Sequence, residues 1–165
     1  MDNNELLTRI AAKKTDDPDE KSGDLGKLMK FLIVQVKDKN YAFFVEQIKE
    51  IVTDVPLYFV PFVPPYVRGF INRHGEPHTV FDLNALFEGE ELESATFLIS
   101  NFENDQIAFL TSGVTEILKI PENEVHVITS AEENEGFFLG SVSSKGAEIF
   151  ILNLPNIVER LEHDI

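Results

Sequence analysis

"YAFFVEQIKEIV", residues 41–52, is echoed further along the chain by "IAFLTSGVTEIL", residues 107–118. The offset is constant (107 − 41 = 66). Ala42 and Ala108, Phe43 and Phe109, Glu50 and Glu116, and Ile51 and Ile117 are identical pairs; Ile48 is answered by Val114 and Val52 by Leu118. A period of this length is too long for solenoid or propeller repeats. It predicts two copies of a small β subdomain. A second echo supports this. "GFINRHGEPHTVFDL" starts at Gly69 and "GSVSSKGAEIFILNL" at Gly140, an offset of 140 − 69 = 71. Each has a glycine six positions on, Gly75 or Gly146, and each runs through apolar residues to Asp82-Leu83 or Asn153-Leu154. The difference between the offsets (71 − 66 = 5) is an ordinary surface-loop insertion. In each copy one strand ends in a glycine-containing turn and a second strand leaves it.

The chain has 165 residues, room for one domain or two small fused ones, and at 43% hydrophobic it can fill a core. Phenylalanine dominates the aromatics, 14 against three tyrosines and no tryptophan. The absence of cysteine excludes disulfides, thiolate metal sites and cysteine nucleophiles, and fits an intracellular location. No apolar run reaches transmembrane length. The N-terminal "MDNNELLTRIAAKKTDDPDEKSG" lacks the apolar centre of a secretory signal. A soluble, cytoplasmic protein without direct membrane insertion is expected. The net charge of −15 repels polyanions, and there is no basic stripe, so neither nucleic acid nor anionic lipid is an expected partner.

Residues 1–27 read as a polar leader. "NELLTRIAAKK" spaces Leu6, Leu7, Ile10 and Ala11 for a short docking helix capped by Asn3 or Asn4; the alternative is a flexible leader disordered throughout. "TDDPDEKSGDLG" reads as a linker. From there the pattern is β: "KFLIVQV" and "YAFFV" around the turn "DKN", then "EQIKEIV" as a helical turn or a bulged strand. "VPLYFVPFVPPYV" carries Pro56, Pro61, Pro64 and Pro65, which exclude helix and central strand. Its Tyr58, Phe59, Phe62 and Tyr66 either close a barrel or form an exposed patch for a partner. "RGFIN" and "HTVFDL" are strands and "NALFE" a helical turn. "ATFLISNF" and "DQIAFLT" form a hairpin, and "FFLGSVSS" and "AEIFILNL" the last one. "LPNIVERLEHDI" closes as a helix, with Asn153 as N-cap, Pro155 in the first turn and Ile157, Val158 and Leu161 on the apolar face.

Catalytic constellations are missing: there is no Walker loop, no G-x-S-x-G and no H-E-x-x-H. His74 and His78 are separated by Gly75 and Pro77, so they share no helical face as a metal site would need. Glu88, Glu90, Glu91 and Glu93 lack the spacing of a calcium loop and read as a solvated acidic loop. The distinctive polar residues are Glu50, the charge repeated as Glu116, and the cluster Arg68, Asn72, Arg73 and His74 beside Gly69. In an acidic chain, two arginines near one turn would attract an acidic side chain.

The ordered set "FLIVQVKDKNYAFFVEQIKEIV", a proline-containing loop, "VRGFIN…G…DL", then "IAFLTSGVTEILKI" and "FLGSVSSKGAEIFILNL" resembles the CheW domain over about residues 30–160. The resemblance implies a mostly β fold of two similar five-stranded SH3-like barrels, interlaced around a shared core within residues 28–165, with a short C-terminal helix. It implies a non-enzymatic scaffold without a cofactor or metal. Such proteins couple chemoreceptors (methyl-accepting chemotaxis proteins) to the histidine kinase CheA in cytoplasmic arrays at the membrane. They bind the kinase's CheW-like regulatory domain edge to edge, and the receptor's helical tip in a groove. Barrels with similar ends can also join other CheW-like domains. Matched to the family, Ile48, Glu50 and Ile51 fall on the segment lining the receptor groove, with Arg68, Gly69, Asn72, Arg73 and His74 facing it. Gly75, Asp82, Gly140 and Gly146 are matched as structural turn residues.

The chain departs from the family's "N-L-R-G", whose arginine pairs with the acid matched by Glu50. Here the stretch is "NRHG", with His74 in that place. Because neighbouring strand residues point oppositely, Arg73 is not expected to substitute, and Glu50 and His74 are expected to form a weaker, pH-sensitive pair. Thr79 replaces a family proline, and Thr111-Ser112 a frequent "V-D". A divergent adaptor in another signalling or motility pathway is one alternative. A small β-barrel ligand binder or enzyme, with its pocket under the proline-rich connection, is another.

Overall fold

The computed structural model describes residues 27–102, 106–128 and 136–164. The expected N-terminal helix lies outside them. Among the described residues, eleven strands run in chain order: β1 (Leu28–Val36), β2 (Lys39–Phe44), β3 (Ile48–Thr53), β4 (Val67–Arg73), β5 (Glu76–Asp82), β6 (Thr96–Ser100), β7 (Ile107–Thr111), β8 (Gly113–Pro121), β9 (His126–Val127), β10 (Phe138–Ser144) and β11 (Ala147–Leu152). Two α-helices among the described residues, α1 (Leu83–Glu88) and α2 (Leu154–Asp164), follow β5 and β11. "EQIKEIV" resolves into both alternatives: a 3₁₀ turn over Val45–Gln47, then β3 with a bulge between Ile48 and Glu50.

The strands form two sheets, ordered β8-β1-β2-β11-β10-β9 and β3-β6-β7-β5-β4. The echoed segments are structural equivalents. Parallel pairing sets Tyr41 opposite Phe150 and Ala42 opposite Ile151; the same pairing sets Ile107 opposite Thr79 and Ala108 opposite Val80. The two offsets carry each pair onto the other (41 + 66 = 107, 79 + 71 = 150). The bulges correspond as well. Val34/Val114 and Ile33/Glu116 in one sheet mirror Ser100/Ile48 and Ile99/Glu50 in the other.

The copies are not side by side. Each sheet combines the first two strands of one copy, β1-β2 or β6-β7, with the later strands of the other. The exchange occurs between β2 and β3, and again at Ser112 between β7 and β8. Neither copy can bury its apolar residues without the other. That explains why "FLIV" (31–34), "YAFF" (41–44) and "IAFLT" (107–111) are buried at every position instead of alternating.

Both sheets are curled. Met29, Phe31, Ile33, Ala42, Phe44, Leu139, Val142, Ile149 and Ile151 form a buried cluster drawn entirely from the first sheet. A flat sheet could not cover one face with its own side chains. The opposite face of β1 and β2, including Leu32, Val34, Tyr41 and Phe43, joins Phe81, Phe97 and Phe109 of the second sheet and α2 in the larger shared core. In the second sheet, edge strands β3 and β4 are joined by an ion pair between Glu50 and Arg73. Four flat strand spacings would hold those edges about 19 Å apart, so the sheet must roll to close the contact.

The hairpin turns supply the register. His74-Gly75 has φ values of 53° and 79°, and Lys145-Gly146 has 51° and 78°. These are two-residue type I′ turns, matched to strand twist. Gly140 and Asp82 correct the turn positions expected of them. Gly140 lies inside β10 at a bulge, where a Cβ would stand 2.1 Å from the His126 carbonyl oxygen; its equivalent Gly69 meets the Tyr58 oxygen at 2.0 Å. Backbone crosses backbone at both places, and only glycine leaves room. Asp82 is the N-cap of α1 and accepts from the Ala85 N–H at 3.0 Å.

In the proline-rich connection the aromatics divide. Tyr66 stacks on Phe81, with ring centroids 5.0 Å apart, and Leu57 and Val63 pack on the core. Phe59 and Phe62 are exposed, Phe62 completely and with φ of 61°. The stretch both covers the barrel and leaves an apolar tip.

Candidate functional site

The site grows from strand β3. Beyond its bulge, Glu50 and Val52 face inward and Ile51 outward; Val52 is buried, and Ile51 remains 48% exposed. Glu50 accepts a hydrogen bond from Arg73 Nε at 2.9 Å and another from Arg73 Nη2. These charge-assisted bonds hold the Glu50 carboxyl below its ordinary range, with smaller contributions from the nearby His74 and Lys49 charges. The same contact raises the Arg73 pKa. Both side chains stay partly open to solvent, so the carboxylate is oriented without being sequestered.

This corrects the expected Glu50–His74 pair. The alternation rule treats residues 73 and 74 as strand neighbours, but Arg73 is the last residue of β4 and His74 is the first residue of the turn. On β4, Gly69, Ile71 and Arg73 share the inward face. Arg73 therefore reaches across the barrel mouth, and His74 projects from the turn into solvent. Asn72 is exposed on the other face, and Ile48 packs against the shared core.

Arg68 is not brought to this place. It sits at the far end of β4, where Nη1 donates to Asp82 Oδ2 at 2.9 Å and to the Leu92 carbonyl at 3.0 Å. Asp82 is fully buried and also accepts from the Leu92 N–H at 2.8 Å. Arg68 and Asp82 thus tie β4, α1 and the following loop together. Gly69 serves the site indirectly, by letting the connection cross β4 at Tyr58, whose backbone pairs with Phe70.

Sequence reasoning missed a second feature, an open cleft of about 660 Å³ where β2, β11 and the end of α1 meet. Its wall is aromatic: Tyr41 lies 5.3 Å from Phe87 and 6.0 Å from Phe138, and Phe138 lies 5.3 Å from Phe150. The residues come from four separate stretches, so no local motif announces them. Only the abundance of phenylalanine did. Among the described residues no group of His, Asp and Glu could hold a metal ion, and no helix is long and apolar enough to cross a membrane.

A family profile described as CheW-like domain matches residues 30–162. The chain belongs to the CheW family. It is similar to the chemotaxis protein CheW of Helicobacter pylori, 24% identical over 161 residues that cover 95% of this chain and 98% of the relative. The chemotaxis protein CheW of Thermotoga maritima is 22% identical over 140 residues, 84% of this chain and 93% of the relative. The crystal structure of the scaffolding protein TtCheW from Thermoanaerobacter tengcongensis superposes with a TM-score of 0.69 at 22% identity, covering 76% of this chain and 89% of that one. The fold of the CheW family is the interlaced pair of curled sheets described above.

Proposed function

We propose that this CheW-family protein is a non-catalytic chemotaxis adaptor that couples the cytoplasmic tip of a chemoreceptor to the regulatory domain of the kinase CheA. Family membership over nearly all of the described chain supports the adaptor role. The observation that carries the receptor site is Glu50, held by Arg73 at the mouth of the second sheet beside the exposed Ile51. A helical receptor tip requires an apolar contact and a few orienting charges; Ile48 and Ile51 provide the first, and Glu50, Arg73 and His74 the second. The acid is pre-oriented, so binding does not have to order it.

Calorimetry with the kinase regulatory domain and the receptor tip from the same cell tests the reading. Binding of both by the wild type, with receptor affinity lost in Glu50→Arg and kinase affinity kept, is the expected result. Kinase binding without receptor binding would place the protein in a different array. Binding of neither by folded protein would remove the function.

A further inference from the structure

The two halves differ at their helices. α1 and α2 begin at equivalent positions (83 + 71 = 154), but α1 has six residues and α2 has eleven. α1 is stopped by Gly89 in a left-handed conformation, with φ of 73°. α2 continues and buries Leu161 in the shared core. The aromatic cleft opens where α1 ends, with Leu86 and Phe87 of the helix on one side and Phe138 and Phe150 on the other. Phe150 is 39% exposed there. Among the described residues, the first half lacks the helical cover that the second half has.

We infer that the chain's own N-terminal segment, residues 5–14, docks in this cleft as an amphipathic helix, its Leu6, Leu7 and Ile10 against the aromatic wall. Three observations select this occupant. The segment has the right pattern, with apolar residues at helical spacing. It has the complementary charge. Arg9, Lys13 and Lys14 are its basic residues, in a chain of net charge −15, and Asp38, Glu88 and Glu148 line the cleft. Lys39, which also lines the cleft, is paired with Glu88, so Asp38 and Glu148 are the acids that face the segment's cations. The tether is also long enough. Lys27 precedes β1, and Tyr41 pairs with Val34, six residues along that strand and so about 20 Å away. Residues 15–26 can span about 40 Å when extended. Their acidic stretch "DDPDE" is repelled by the acids of the cleft, where Lys39 is already paired with Glu88.

None of the residues assigned to the receptor groove lines this cleft, so the inference stands apart from the proposed function. Because the chain contains no cysteine, a single spin label can be placed without other changes. The label goes on full-length Thr8→Cys, and amide signals are compared with the label oxidised and reduced. The expected result is loss of more than half the intensity at residues 38–41 and 147–150. Ile51 and Ile117 keep theirs, and Leu7→Glu/Ile10→Glu restores the cleft signals. Unselective broadening, or broadening centred on another surface, would overturn the inference. So would cleft broadening that persists when isotope-labelled protein without the spin label is mixed with spin-labelled protein lacking the isotope. That outcome would give the cleft to a second copy.

Discussion

The two halves close their barrels with the same glutamate and different cations. In the first, Glu50 receives two N–H bonds from Arg73, the last residue of β4. In the second, Glu116 faces Lys145 at 3.8 Å, and the lysine side chain is 83% exposed. The offset places Lys145 at the position of His74 and Ser144 at that of Arg73 (145 − 71 = 74, 144 − 71 = 73). One copy thus draws its cation from the end of a strand, where backbone pairing fixes the direction, and the other from a turn. A planar guanidinium on a strand orients a carboxylate; a flexible ammonium on a turn screens it. The duplicated scaffold therefore presents one acid aimed by a guanidinium and one loosely paired acid.

The largest expected difference between the halves lies at the helix caps. Asp82 is fully buried and joins the Ala85 and Leu92 N–H groups to Arg68. Its counterpart Asn153 is neutral and caps α2 through the Asn156 N–H at 3.3 Å. Asp82→Ala removes the cap and leaves Arg68 without its buried partner, so a loss of about 3–5 kcal/mol is expected. Asn153→Ala is expected to cost about 1 kcal/mol. Urea denaturation of both variants measures the gap. Equal losses would show that the Asp82–Arg68 contact adds nothing to a simple cap.

The closing pairs give the next effect. Glu50→Arg is expected to weaken receptor-tip binding at least tenfold, about 1.4 kcal/mol of binding free energy, whereas Glu116→Arg changes it less than twofold. Calorimetry decides between them, and a larger loss in Glu116→Arg would move the receptor surface to the other half. The turns rank below this. His74 holds φ of 53°, a conformation asparagine tolerates better. His74→Asn is expected to stabilise the protein by about 0.5 kcal/mol in thermal unfolding, with Glu50–Arg73 intact. Loss of stability would mean that the imidazole, not the turn, matters there.

The repeat was legible because paired strands in both copies carry the same inward residues at the same bulges, so Ala42 and Ala108 or Glu50 and Glu116 remain alike. The exchange of strands between copies was not, since Val45–Gln47 and Ser112 encode a change of direction without naming its destination. The acid of the Glu50–Arg73 pair is readable as the repeated charge. Its partner is not, because period-two alternation ends where the type I′ turn begins, between Arg73 and His74. Sequence proximity groups Arg68 with Arg73, although five residues of strand carry them to opposite ends of β4. The aromatic cleft depends on contacts between β2, α1, β10 and β11, which sequence distance conceals.

The smallest effect distinguishes Tyr66 from its counterpart Phe137 (137 − 71 = 66). Phe137 has no hydroxyl and lies under the Arg160 guanidinium, 5.9 Å from the ring centroid. Tyr66 donates its hydroxyl to Asp164 at the end of α2. That bond, followed by those from Arg160 and His163, lowers the Asp164 carboxyl from 3.8 to about 2. Burial first, and the Asp164 contact second, push the Tyr66 phenol from 10.0 to about 12. A lowered carboxyl contributes stability above its unfolded value and loses it as the pH falls through its folded value. The hold on the end of α2 is therefore full above about pH 3.8 and gone near pH 2. The phenol's contribution is complete below about pH 10 and is lost as the pH rises toward 12. Tyr66→Phe makes the first half chemically like the second. A carbon-detected titration of Asp164 is expected to move partway back toward 3.8 in this variant, because Arg160 and His163 still donate. An unchanged titration would show that those two residues alone hold the carboxylate, and that the tyrosine hydroxyl contributes nothing that Phe137 lacks.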